Sequence, residues 1–351
     1  MDKEEIIKEA ERIEKKINSY YQDRQFAIVS AAGVENVTTE NLNPDKEYNH
    51  PYINVVLNDS KEIKACAYKE KDKYFIEINT GVFPEIREHI HSIVTRKAFE
   101  RVKGIGHIVP SMVEHLLVED CYTYLCFHEF FHITNGHCDL ITKLQMDRLN
   151  EVSDKIGETP ELIRQTLEYD ADCCAIASMV NEQLRVAGMV NNQLGLNARI
   201  STGSLAQTIS HILISIFILN SLFYEEFKKF SHCTLEETID LVERLYHPLP
   251  GMRVMYMLLN IDCTIGQCGM YSPEERMEIF EEMFASLKSF VHEYKDVIHS
   301  EFLSVAIDVK GIAHLQRIHD NWEKVMNEIP VSYSKLAPYM KFDYEAILKG
   351  E

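Results

Sequence analysis

The chain has 351 residues, 46% hydrophobic and 26% charged, with 36 basic against 55 acidic side chains and a net charge of −19. That length is enough for a sizeable core, and the acidic balance argues against a general phosphate-binding surface, so nucleic acid is not an expected partner. Nine cysteines without a repeating spacing give no disulfide framework, which points to a reducing compartment, and the expected location is cytoplasmic.

Met1 to Lys16 is dense in charge and reads as an amphipathic helix rather than a leader segment. Four short β-branched or aromatic runs follow, at Phe26 to Ser30, Tyr52 to Leu57, Ile63 to Tyr68 and Tyr74 to Asn79, divided by Asn, Asp, Pro and charged turns. They predict a small mixed β-sheet. After about Pro84 the pattern is mostly helical. Pro110 stops anything upstream, and Ser111 with Glu114 reads as a capping box opening a helix through His132, which Asn135-Gly136 ends. Thr159 as N-cap and Pro160 at the first position open a second helix running toward Gly188.

Ile200 to Tyr224 carries no charged residue and raises the question of a membrane helix. Gln207, Thr208, Ser210, His211, Ser215, Asn220 and Ser221 would be costly against lipid, so a buried core helix is expected, with a membrane-associated segment at 205–224 as the alternative. His211 reads as a hydrogen-bonded core histidine near the cleft. Thr234 with Glu237, and Ser272-Pro273 with Glu275, mark two further helix starts. The expected class is α+β, predominantly α-helical. Its segments are an N-terminal helix and sheet (1–84), a helical core (85–262) and a helical C-terminal region (263–351) that either continues the core or stands beside it.

His128-Glu129-Phe130-Phe131-His132 is an H-E-x-x-H string near the end of the first of these two helices. Residues four apart share a helix face, so His128 and His132 can present nitrogens to one ion while Glu129 projects toward a bound water. A catalytic zinc site needs a third protein ligand. Glu168-Tyr169-Asp170-Ala171-Asp172 lies in the second helix, again with acids four apart. Glu168 is the candidate third ligand, with Asp172, Asp170 and His137 as rivals. Asp172 is also placed to accept a hydrogen bond from a ligand imidazole, and His137 is a candidate for the same outer shell. His137 falls one residue short of the third-ligand position of H-E-x-x-H-x-x-G-x-x-H, which disfavours the metzincin arrangement. Cys138 and Cys173 read as buried thiols rather than ligands.

His128 to His137 followed by Glu168 to Asp172 resembles the gluzincin peptidases of the HtpX and CaaX-prenyl-endopeptidase family. Two further elements are similar: His247-Pro248 with Arg253, and the strand Tyr74 to Gly81 ahead of the zinc helix. The resemblance implies a zincin-like core, one Zn²⁺ per chain, a protein or peptide substrate, and an oxyanion donor among His247, Tyr246 and Arg253. It also implies that Tyr74 to Thr80 is an exposed edge to which an extended substrate adds. The chain departs from the family in a longer insertion, Val82 to Pro110, and in lacking its evident transmembrane helices. The phage-exclusion protease Lit is a competing relative. The expectation is a zinc metalloendopeptidase with Glu129 as general base, and the alternative is a catalytically silent, zinc-stabilised binding or sensor protein.

Overall fold

The structure is a computed structural model, and the residues it describes are 1–31, 53–71, 73–141, 155–193, 200–223, 236–238, 242–245, 247–295 and 301–329. Helix α1 (Lys3–Ala31) precedes strands β1 (Ile53–Asn58), β2 (Ala65–Glu70) and β3 (Lys73–Asn79). The remaining elements named here are helical: α2 (Val82–Val94), α3 (Pro110–Thr134), the single turn α4 (His137–Leu140), α5 (Pro160–Gln193), α6 (Thr202–Phe223), α7 (Pro250–Gln267), α8 (Pro273–Glu293), α9 (Glu301–Ile307) and α10 (Val309–Glu328). The chain is therefore predominantly helical, with one small mixed sheet among the described residues, the coarse architecture expected from the sequence.

Two details differ at the start of the chain. Phe26 to Ser30 lies in the last part of α1 and is not a strand. No glycine or proline interrupts the chain from Lys3 to Ala31, so a helix already propagating adds one hydrogen bond per residue through a short run of strand-formers. The sheet order is β1-β3-β2, with β1 parallel and β2 antiparallel to β3. Tyr74 to Asn79 is thus the central strand and no edge at all, because both of its ladders are taken, and its Tyr74, Ile76 and Ile78 point into the core.

The two outer strands are finished differently. Along β1, helix α1 lends side chains: Val55 N donates to Glu14 Oε2 at 3.3 Å, and Asn18 Nδ2 donates to the Ile53 carbonyl at 3.2 Å. Beside β2, Lys69 Nζ meets Asp139 Oδ1 of α4 at 2.5 Å, and Tyr74 Oη of β3 donates to Asp139 Oδ2 at 2.7 Å.

Helix α3 starts with Pro110 as its first residue and Val109 as N-cap, so the expected Ser111 capping box is absent and the proline opens the helix instead of closing what precedes it. The insertion Val82 to Pro110 is occupied by α2 and a 3₁₀ turn at Lys97–Arg101. At the other end Asn135 caps α3, and Gly136 turns the chain at φ 82°, a left-handed conformation natural to glycine. Thr159 Oγ1 accepts from Leu162 N at 3.3 Å at the start of α5, which runs past Gly188 to Gln193. Ser272 and Glu275 form the full capping box of α8. The helix start expected at Thr234 lies outside the described residues.

Helix α6 is long and apolar enough to cross a membrane, yet 78% of its most apolar window is buried inside the fold. Its hydroxyls turn back on their own helix, Ser210 to the Ala206 carbonyl, Ser215 to His211 and Ser221 to Phe217 at 2.7 Å each. His211 Nδ1 meets Asp120 Oδ2 at 2.6 Å. Buried polar groups satisfied this way sit comfortably in a protein core. One buried apolar cluster joins all three expected segments, from Ile6 through Phe131 and Phe217 to Ile318.

Candidate metal centre

Helices α3 and α5 meet at their polar residues. His128 Nε2 and His132 Nε2 are 3.1 Å apart. Glu168 on α5 brings Oε2 to 3.3 Å from His128 Nε2 and Oε1 to 3.4 Å from His132 Nε2. A tetrahedral site with ligand bonds of about 2.1 Å has edges of roughly 3.4 Å, a spacing that the two imidazole nitrogens meet with each other and each meets with a different oxygen of Glu168. The three residues form the one cluster of metal-ligating side chains among the described residues that closes so tightly, and it can bind a metal ion. The cleft in front of them is about 440 Å³, bounded by residues 63–67 on one side and by Tyr124, Leu219 and Phe223 on the other. Glu129, 7% exposed, lines it between the two histidines.

Each ligand histidine is held from behind. His128 Nδ1 lies 2.8 Å from Asp172 Oδ1. Asp172 has no exposed surface and also accepts from Arg253, Nε at 2.8 Å and Nη2 at 2.6 Å, and from the hydroxyls of Tyr124 and Tyr256. His132 is held at one remove: its Nδ1 is 2.9 Å from His137 Nδ1, and His137 Nε2 is 3.0 Å from Asp170 Oδ2. Asn135 Nδ2 and Trp322 Nε1, the latter at 2.7 Å, also donate to Asp170.

Only one assignment of protons fits both chains with the Nε2 lone pairs aimed at an ion. His128 Nδ1–H donates to Asp172. His132 Nδ1–H donates to His137 Nδ1, and His137 Nε2–H donates to Asp170. Orienters of this kind fix the tautomer and ring angle of a metal ligand.

At Asp172, Glu168, Asp170 and His137 the electrostatics agree with that assignment. Burial raises a carboxyl pKa, yet Arg253 and His128 hold Asp172 below the usual range. Glu168 is likewise held well below it, against burial, by His247, His132 and His128. Asp170 is also depressed despite burial, by His137, Trp322 and Asn135. Burial lowers the pKa of His137 more than Asp170 raises it, which leaves a neutral ring with a lone pair to accept. Burial acts downward on His128 as well, but Asp172 and Glu168 outweigh it and raise it to about 10, so an ion bound at Nε2 would take the place of a proton there. Tyr124 and Tyr256 are pushed up by burial and stay protonated donors.

The remaining expected residues fall differently. His247 stands at the mouth with its Nε2 3.7 Å from Glu168 Oε1 and its side chain 56% exposed. Arg253 is buried, lines the cleft and bonds both oxygens of Asp172, with Glu168 Oε2 a further 3.5 Å contact. Tyr246 lies outside the described residues. Cys138 and Cys173 are buried thiols whose pKa burial raises, as expected, and His211 is in the core but does not line the cleft. Among the groups missed, Tyr124 was within reach, being one helical turn before His128 on the same face. Tyr256, Asn135 and Trp322 carried no local signal.

Comparison with protein-family models, curated proteins and solved structures gives no match.

Proposed function

We propose that the chain is a zinc-dependent endopeptidase acting on a protein or peptide substrate. The observation that carries this reading is the His128–His132–Glu168 cluster, with donor atoms 3.1 to 3.4 Å apart, each histidine facing its own oxygen of Glu168, and Glu129 lining the same cleft. Two imidazoles and one carboxylate lining an open cleft are the donor set that would suit hydrolytic zinc. Zinc held there supplies Lewis acidity, acidifying water and polarising a carbonyl. Glu129 takes the proton from the attacking water and passes it to the leaving amine. His247 and Arg253, both lining the cleft, are the candidates to donate to the developing oxyanion.

The substrate strand is assigned to β2. Asn79 N donates to the Lys64 carbonyl at 2.9 Å, so by the two-residue period Cys66 faces β3 while the backbones of Ala65 and Ala67 face outward at the cleft. Short side chains there let an extended peptide approach the ladder and lie across the triad.

Elemental analysis of protein purified without chelating resin, paired with turnover of a proteome-derived peptide pool, tests this. About one zinc per chain is expected in wild type and in Glu129→Gln, and far less in His132→Ala and Glu168→Ala. Glu129→Gln loses turnover by about 10²- to 10⁴-fold. Zinc-replete wild type that leaves every peptide intact would assign the chain to the silent binding or sensor class instead.

A further inference from the structure

The C-terminal helix α10 meets α5 through a row of directional polar bonds. His314 Nε2 bonds Gln165 Oε1 at 2.6 Å, His319 Nδ1 meets the Tyr169 hydroxyl at 2.9 Å, Asn321 Nδ2 donates to Thr166 Oγ1 at 3.3 Å, and Trp322 Nε1 donates to Asp170 Oδ1 at 2.7 Å. Directional bonds of this length add to the packing and constrain how the two helices sit against one another. The element so constrained is the one that bears Glu168 and Asp172.

One of the four bonds leads to the metal ligands. Asp170, 1% exposed, is a buried carboxylate that depends on its donors. Trp322 holds Oδ1, while Oδ2 receives His137 and Asn135. Because His137 is in turn the acceptor for His132 Nδ1, the indole N–H stands three hydrogen bonds from the imidazole ring of a candidate ligand. Withdrawing it leaves one oxygen of the carboxylate short of a donor and frees the group to rotate away from His137. That rotation loosens the imidazole orienting His132, on a helix that is distant in sequence.

We infer that Trp322 is a positioning residue of the metal centre, setting its affinity through the chain Trp322–Asp170–His137–His132. The inference rests on the zinc reading above and is independent of whether the chain hydrolyses peptides. It makes the C-terminal helix part of the metal site.

The probe is zinc itself, titrated into chelator-stripped full-length protein in competition with a fluorescent chelator. Trp322→Phe keeps a ring in place and deletes the N–H, and its zinc dissociation constant is expected to rise roughly ten- to a hundredfold, the range for lost outer-shell partners. Trp322 is the chain's single tryptophan, so the emission of the unaltered protein is a second readout that needs no folded variant at this position. Zinc uptake shifts that emission with one-to-one stoichiometry, and the shift is lost in Asp170→Asn although all three ligands remain. Trp322→Phe binding zinc within twofold of wild type overturns the inference, and so does wild-type emission that ignores bound zinc. Wild type that takes up no zinc overturns this inference together with the metal reading, whereas zinc uptake without peptide hydrolysis removes only the enzymatic one.

Discussion

Asp172 stands at the centre of the polar groups behind the cleft, receiving Arg253, Tyr124, Tyr256 and His128 without any exposed surface. With His128 serving as a neutral ligand, Arg253 is the charge that balances this carboxylate. Arg253→Met keeps much of the apolar stem and leaves the carboxylate buried without its counter-charge, which destabilises the fold by about 3–5 kcal/mol. Arg253→Lys recovers only part of this, because an ammonium cannot reproduce the two-pronged bond to both oxygens. Urea unfolding of the zinc-loaded proteins reads both values, and a methionine variant within about 1 kcal/mol of wild type would deny Arg253 this role. The same residues mark how far the chain could be read unaided. His128, His132, Glu168 and Asp172 were legible because four-residue spacing on a helix is a local property. Arg253 was located through a resemblance, and its bond to Asp172 carried no local signal, since it depends on how α7 packs against α5.

At the scale of elements, the three sheet strands and the two site helices were legible from alternation, periodicity and capping residues. The order of strands was not, because pairing is decided between distant segments. That is why the strand before the zinc helix was taken for an edge when it is the centre. The contribution of α10 was equally hidden, since its partners on α5 lie about 150 residues away in sequence. His314 makes that contribution sensitive to pH. Burial lowers its pKa to about 4, Glu243 opposing and Arg317 assisting, against about 6.5 in an unfolded chain. A depressed histidine adds stability that is complete above the unfolded value and is lost as pH falls from about 6.5 to 4, where the unfolded state gains the proton first. For His314 that loss is on the order of 3 kcal/mol. Unfolding titrations at pH 7 and pH 4 are therefore expected to show a larger drop in wild type than in His314→Asn. Equal drops would mean that this histidine does not carry the acid sensitivity of α10.

For the molecule as a whole, the three ligand atoms come from two helices that the chain brings together across a long sequence interval, one at 110–134 and one at 160–193. An ion shared between them ties the helix that packs on α1, α2 and β2 to the helix that carries α7 and α10. An ion that binds the folded chain and not the separated helices would add its binding free energy to folding stability by RT ln(1 + [L]/Kd), about 4 kcal/mol at a thousandfold excess over Kd. Chelation should accordingly lower the melting temperature by on the order of 5–10 °C in a chain of this size. The pattern across variants is more telling than the size of the shift. Glu129→Gln keeps the whole shift, because Glu129 is not a ligand, while His132→Ala and Glu168→Ala melt at the same temperature with and without chelator. Trp322→Phe retains a shift that shrinks at limiting zinc and recovers at saturating zinc, the behaviour of weakened affinity in an intact fold. Differential scanning calorimetry with graded free zinc separates these cases, and a wild-type melting temperature unmoved by chelator would remove the ion from the architecture altogether.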